Sequence, residues 1–165
     1  MVRWTRGALG LSCAVGLGLT FYSYATSPDR VPVHYGLTGI PDRWGSPVEL
    51  LVAYGCVIGI GSSLCLALPE LLRRAPPWAI NLPNKHYWLA PENRDAATAK
   101  FALWADTQGA AVNLLMSTLL LLLAPNANAA AVPAAFPAFV LVGFGMFTLA
   151  SIGWLWLSYR LPTRP

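Results

Sequence analysis

The sequence predicts an all-α integral membrane protein that crosses the bilayer four times, with both termini in the cytoplasm and a small ordered loop outside. Three observations carry this. The 165 residues are 56% hydrophobic and only 11% charged, against about 25% charged in ordinary soluble domains. A soluble chain this apolar has too little polar surface to cover its core. The charges are also clustered, leaving stretches without Asp, Glu, Lys, Arg or His: 22 residues between Arg6 and Asp29, 20 between Glu49 and Glu70, and 53 between Asp106 and Arg160. Finally, the basic residues flank these stretches unevenly.

Roughly 20 apolar residues span a hydrocarbon core of about 30 Å, so each of the first two stretches makes one helix. Drawn as one helix, the third would be about 80 Å long at about 1.5 Å per residue. It carries its own break at Pro125, Asn126, Asn128, Pro133 and Pro137. The helices are placed near residues 7–25, 48–68, 104–124 and 135–159, with an extracytoplasmic loop over 26–47 and a cytoplasmic loop over 69–103. The whole chain, 1–165, reads as a single membrane domain.

Orientation follows from Arg and Lys. Alternation of four spans puts Arg3, Arg6, Arg73, Arg74, Lys85, Arg94, Lys100, Arg160 and Arg164 on one side, nine of the eleven basic residues. Only Arg30 and Arg43 fall on the other. The positive-inside bias makes the first side cytoplasmic, and the expected location is the cytoplasmic (inner) membrane. The same asymmetry accounts for the net charge of +4 without nucleic acid. Arg3 and Arg6 with Ser23-Tyr24-Ala25 also suit a signal peptide, but the apolar run exceeds the usual length of about 7–15 residues, so the first helix is read as retained.

Within the spans, Gly10, Ala14 and Gly18 lie four apart on the first helix, and Gly55, Gly59, Ser63 and Ala67 on the second. Such stripes let membrane helices approach closely. They are read as packing the first helix on the second, with a homo-oligomer face as the sharper alternative. Cys13, Cys56 and Cys65 read as small packing residues. Pro91 and Glu92 suit a helix start, and Pro91–Leu103 reads as an amphipathic lead-in that lies at the cytoplasmic interface or runs straight into the third helix. Asp106, Gln108 and Asn113 enter the third span, where a polar group needs an internal partner; for Asn113 that is an interhelical hydrogen bond. Leu119–Leu123 read as lipid-facing filler, and Trp154, Trp156 and Tyr159 as an interfacial belt.

The outer loop is more than a linker. Val31, Val33 and Tyr35 alternate with Pro32 and His34, an extended pattern suited to an edge. Gly36 and Gly39 permit turns, and Pro41-Asp42 precedes Arg43-Trp44-Gly45 as turn chemistry followed by an interfacial aromatic. His34, with Asp29 or Asp42 beside it, reads as a histidine bonded within the cap or as a recognition residue for an external ligand. No metal is expected, since a site needs three or four ligands. No catalysis is expected, since no nucleophile stands at a recognisable spacing. No cofactor motif is present.

In the cytoplasmic loop, Asn81, Pro83 and Asn84 favour turns, Tyr87 and Trp88 suit anchors at the inner interface, and Lys85, Arg73 and Arg74 suit anionic headgroups. The segment from Pro83 to Glu92 reads as a membrane-docked connector or as a docking surface for a cytoplasmic protein.

The string Pro28-Asp-Arg-Val-Pro-Val-His34, followed by Gly39-x-Pro-Asp-Arg-Trp-Gly45, resembles a bacterial membrane domain of unknown function. That domain also forms the N-terminal part of SdpI-type immunity and signal-transduction proteins. Pro28, Pro32, His34, Gly39, Pro41, Asp42 and Gly45 fit the pattern; Pro47 stands where Lys is common. Asn81-Leu-Pro-Asn-Lys-His-Tyr-Trp-Leu-Ala-Pro-Glu92, with Arg94 two residues on, looks like a segment of single-domain relatives. The resemblance implies a short stand-alone form of a non-enzymatic protein that protects against, or senses, a membrane-active peptide or envelope signal. Some such proteins bind a transcription regulator at the membrane. The alternative is an accessory or structural subunit of a membrane complex.

Overall fold

Helix α1 runs over Val2–Thr26, five residues earlier than the charge-free stretch suggests. Arg3 and Arg6 belong to its first turns and set no boundary. This computed structural model describes residues 2–36, 40–123 and 135–161. Gly39, Arg164 and most of the break between the last two spans lie outside the described residues. Pro137 falls early in the last helix, where the missing N–H has no intrahelical partner to lose.

A β-hairpin follows α1 and corrects the all-α expectation. Strand β1 (Val31–Tyr35) pairs antiparallel with β2 (Pro41–Gly45). Val31 stands opposite Gly45, Pro32 opposite Trp44, His34 opposite Arg43 and Tyr35 opposite Pro41, with irregularities on either side of His34. The extended character of β1 is visible in its alternation. Its partner hides in a Pro-Asp-Arg-Trp-Gly string that reads as a turn.

Helix α2 spans Pro47–Arg74, with Ser46 as N-cap and Pro47 in the first turn. It outruns the expected Leu68 because Glu70, Arg73 and Arg74 pair along its exposed last turns. Pro69 is accommodated within it. A short 3-10 turn at Pro77–Ala79 and the four-residue helix α3 (Lys85–Trp88) lead into α4, Pro91–Leu123. Of the two expectations for the lead-in, it runs straight into the third long helix: at about 1.5 Å per residue α4 is one rod of about 50 Å. Helix α5 covers Ala135–Ser158.

Among the described residues, three helices are long and apolar enough to cross a membrane: Val2–Thr26, Pro47–Arg74 and, within α5, Ala138–Ser158. This is the build of a membrane protein. Helix α4, interrupted by Asp106, Gln108 and Asn113, is not among the three.

Helix α4 is nevertheless the hub, touching α1, α2 and α5. One face meets α1 and α2 through Asp106, Gly109, Asn113 and Ser117, spaced three or four apart. The Asn113 amide donates to Ser12 Oγ (3.1 Å) and Ser62 Oγ (3.0 Å), interhelical hydrogen bonds that join three helices. The other face meets α5: Gln108 donates to Thr148 Oγ1 (2.8 Å) and accepts from Ser151 Oγ (3.0 Å), while Trp104 Nε1 donates to Ser151 Oγ (3.1 Å). Polar residues that lower the hydropathy of α4 thus bind its neighbours, a role hydrophobicity cannot fill in lipid.

The helix-packing stripes are corrected here. A Cβ on Gly10, Gly18, Gly55 or Gly59 would meet nothing within 4 Å, and Ala14, Ser63 and Ala67 are exposed. The close approaches are at Gly16 and Gly109. A Cβ on Gly16 would lie 3.0 Å from Ile58 Cδ1 and 3.2 Å from Ser117 Oγ, and one on Gly109 would lie 2.9 Å from both Cys65 Sγ and Leu9 Cδ1. Each helix carries a second small-residue face, Ser12, Gly16 and Thr20 on α1 and Ile58, Ser62 and Cys65 on α2. That face is packed because α4 brings it hydrogen-bonding partners. Cys56 is exposed, contrary to its reading as a packing residue.

Candidate functional site

The β1–β2 hairpin is held on one side and exposes its polar groups on the other. Val31 is fully buried and Pro32 is buried, which seats β1 against the start of α2. Tyr35 is half-buried beside Tyr54; burial first, and then Tyr54, push its phenol up to about 12. The Gly36 N–H donates to the Ile40 carbonyl at 2.9 Å, closing the base of the turn.

At the junction with α2, the Glu49 carboxylate accepts from the Ser46 N–H at 3.1 Å and pairs with Arg43 at 3.4 Å. It thereby serves an unpaired helix-start donor and tethers β2. A Cβ on Gly45 would meet that carboxylate, which would have to shift. Pro47 occupies the first turn of α2, a position without need of an N–H donor.

Four predicted recognition residues, His34, Asp42, Arg43 and Trp44, are brought together on the exposed surface of the hairpin. His34 Nδ1 and Asp42 Oδ1 are 2.5 Å apart, with side chains 65% and 51% exposed. The histidine's partner is therefore Asp42 rather than Asp29. Pro32, Pro41 and Gly45 are framework residues of the hairpin, and Pro28 is exposed before it. A solvated His–Asp pair beside a guanidinium and an indole can bind a polar or amphipathic group through hydrogen bonds, charge and an aromatic face.

The connector between α2 and α4 turns its Trp88 inward. Trp88, expected as an interfacial anchor, is 6% exposed, and Tyr159, expected in the interfacial aromatic belt, is 1% exposed. They form a core with Ala97, flanked by Leu82 and Leu155. Trp88 Nε1 and Asn84 Nδ2 both donate to the Tyr159 carbonyl, at 2.8 and 2.9 Å, and the Tyr159 hydroxyl donates to the Ala97 carbonyl at 2.7 Å. Lys100 Nζ donates to the Ser158 carbonyl at 2.9 Å and lies 4.8 Å from the centre of the Trp88 ring.

These contacts satisfy carbonyls that the end of α5 leaves without helical partners. Arg94 does the same for α2, donating to the Leu72 and Ala75 carbonyls. Asn84 reaches its position with φ of 52°, the left-handed conformation that asparagine tolerates better than most residues.

Of the other connector residues singled out, Tyr87 is partly exposed and packs edge-on against Trp88 at 5.1 Å. Pro83 is half-buried and Lys85 opens α3. Pro91 and Glu92 start α4 as expected. Sequence reading missed the part played by Lys100 and Tyr159. A basic residue one turn from a span end, and an aromatic closing the last span, were the available signals, but both also fit an interfacial belt.

A buried carboxylate lies on the α1 side of α4. Asp106 is 0% exposed; its Oδ2 accepts from Thr5 Oγ1 at 3.1 Å and lies 3.7 Å from Arg6 Nε, while Oδ1 is buried without a protein partner.

Residues 11–58 match the family profile of a domain of unknown function, DUF1648. The match runs from within α1 through the hairpin into α2 and leaves out the connector. An uncharacterized protein of Archaeoglobus fulgidus is 39% identical over 64 residues, which is 37% of this chain and 34% of that protein. The similarity therefore spans about a third of the relative's length. No solved structure matches the chain.

Proposed function

We propose that the chain is a four-span protein of the cytoplasmic membrane, both termini inside, whose outer hairpin recognises an extracytoplasmic ligand in the manner of an immunity or sensor protein. The observation that carries this reading is the exposed His34–Asp42 pair, with Trp44 exposed on the same strand as Asp42, on a hairpin that buried Val31 and Pro32 and the Arg43–Glu49 pair hold in place. Helix α4 supplies the fourth crossing, its polar residues being taken up by α1, α2 and α5. The excess of Arg and Lys beside the connector and at the termini supports a hairpin outside and a connector inside. The protein has no enzymatic role in this reading; binding is its activity, and a membrane-active peptide is its ligand, as the resemblance to the SdpI-type proteins implies.

Deletion of the gene should sensitise cells to such a peptide, and His34→Ala or Asp42→Ala should fail to restore resistance. Unchanged peptide resistance in the deletion would sink the idea. Topology is tested separately. In a chain whose native cysteines are replaced, Trp44→Cys should react with a membrane-impermeant maleimide in intact cells. Trp78→Cys should react only after permeabilisation, and the reverse pattern would invert the orientation.

A second reading, an accessory subunit of a membrane complex or a homo-oligomer, is favoured by the outward small-residue faces at Gly10, Ala14 and Gly18 and at Gly59 and Ser63. Purification in mild detergent should then recover a stoichiometric partner or a defined oligomer; a clean monomer counts against it.

A further inference from the structure

Helices α4 and α5 diverge enough to leave a groove of about 330 Å³, within the size range of small-molecule sites of about 300–1,000 Å³. Leu103, Trp104, Thr107, Phe147, Ala150 and Trp154 line it, and Phe147 and Trp154 are 40% and 46% exposed, so it opens on the outer surface of the helices. Its polar atoms are already used: Ser151 accepts from Trp104 and donates to Gln108 and the Thr148 carbonyl. What remains is an apolar slot.

A cation stands at one end of this slot. Lys100 is one helical turn before Trp104, and Ser158 one turn after Trp154, so the Lys100–Ser158 contact lies just beyond the groove toward the connector. Lys100 Nζ donates to that carbonyl and lies over Trp88. No carboxylate pairs with it among the described residues. Arg160, exposed, follows two residues later. An ammonium has three donors, and the bond to Ser158 uses one. An apolar slot ending at an uncompensated positive charge complements one kind of molecule in its surroundings: an acyl chain bearing an anionic head. Basic pockets between membrane helices on the cytoplasmic side hold such headgroups.

We propose that the α4–α5 groove is a binding site for an anionic phospholipid, one acyl chain lying between Trp104 and Trp154 and the phosphate reaching Lys100 and Arg160. The proposal shares with the four-span reading only the placement of α4 and α5 in lipid. Lipid retention in detergent does not depend on which way the chain crosses, so it and the maleimide topology test fail independently.

The test is native mass spectrometry of the full chain, equilibrated with equal amounts of phosphatidylglycerol and phosphatidylcholine and then progressively delipidated. The wild type should retain one phosphatidylglycerol in preference to phosphatidylcholine. Lys100→Gln should lower that preference about fivefold, the worth of one basic residue near an anionic surface, and Lys100→Arg should keep it. Ala150→Phe, at an exposed position, should fill the slot and abolish retention while leaving the Lys100 contact in place. Equal retention of the two lipids, or wild-type retention in both Lys100→Gln and Ala150→Phe, overturns the proposal. So does displacement of the lipid by inorganic phosphate alone, which would make this a site for free phosphate.

Discussion

Trp88 and Tyr159, 71 residues apart in the chain, meet edge to face with ring centroids 5.6 Å apart, and the indole N–H of the first donates to the carbonyl of the second. This contact ties the connector to the end of α5, a helix whose main neighbour is α4.

Removing it should loosen α5 before it unfolds the rest. Tyr159→Phe deletes the hydroxyl bond to Ala97 and should cost about 0.5–1.5 kcal/mol. Tyr159→Ala opens a cavity in the Trp88–Ala97 cluster and should cost about 3–5 kcal/mol. Reversible unfolding in mixed micelles measures both. Hydrogen exchange should rise at residues 155–161 while α1 and α2 stay protected; uniform loss of protection would contradict a local clamp.

Gly109 and Gly10 make a paired test of which small-residue faces are packed. Gly109→Ala pushes a methyl against Cys65 and Leu9 and should destabilise by about 1–3 kcal/mol, the usual cost of overpacking. Gly10→Ala enters open space and should leave monomer stability unchanged. Equal effects at the two sites would mean that the packed faces are misassigned.

The long apolar helices α1, α2 and α5 were legible because a run of about 20 residues without charge has few other uses. Which side of each helix is buried was not. Residues spaced four apart define a face, but α1 carries two such faces, Gly10-Ala14-Gly18 and Ser12-Gly16-Thr20. The choice between them is made by Asn113 and Ser117 on a helix a hundred residues away. The hairpin was half legible: Val31, Val33 and Tyr35 read as extended, whereas β2 is made of residues with turn preference and becomes a strand by pairing. Among the recognition residues, the meeting of His34 with Asp42 follows from that pairing, and the inward turn of Trp88 from its partner Tyr159. Long-range partners of this kind leave no local signature.

Asn113 should be worth less than its central position suggests. Its amide joins Ser12 and Ser62, yet hydrogen bonds between membrane helices average about 0.6 kcal/mol, with a maximum near 1.7. Asn113→Ala should therefore destabilise by about 1–2 kcal/mol, packing loss included. Ser62→Ala combined with Asn113→Ala should cost less than the sum of the two single changes. Strict additivity in this cycle would show that the Ser62–Asn113 bond contributes nothing.

The exposed pair His34 and Asp42 allows function to be separated from folding. Surface ion pairs contribute about 0–1 kcal/mol, and the hairpin is held independently by buried Val31, by Pro32 and by the Arg43–Glu49–Ser46 junction. Asp42→Asn keeps the size of the side chain and a hydrogen-bonding oxygen but removes the charge, so it should leave the unfolding midpoint unchanged within error. Glu49→Ala should behave oppositely: it releases Arg43 and the Ser46 N–H together, and should cost about 0.5–2 kcal/mol, as lost helix-start contacts do. If the pair recognises a ligand, Asp42→Asn should abolish protection against the peptide in a fully folded protein, and Glu49→Ala should weaken protection only in proportion to its loss of stability. A pair that merely braced the hairpin would give the converse, with stability lost in Asp42→Asn and protection falling no further than stability explains.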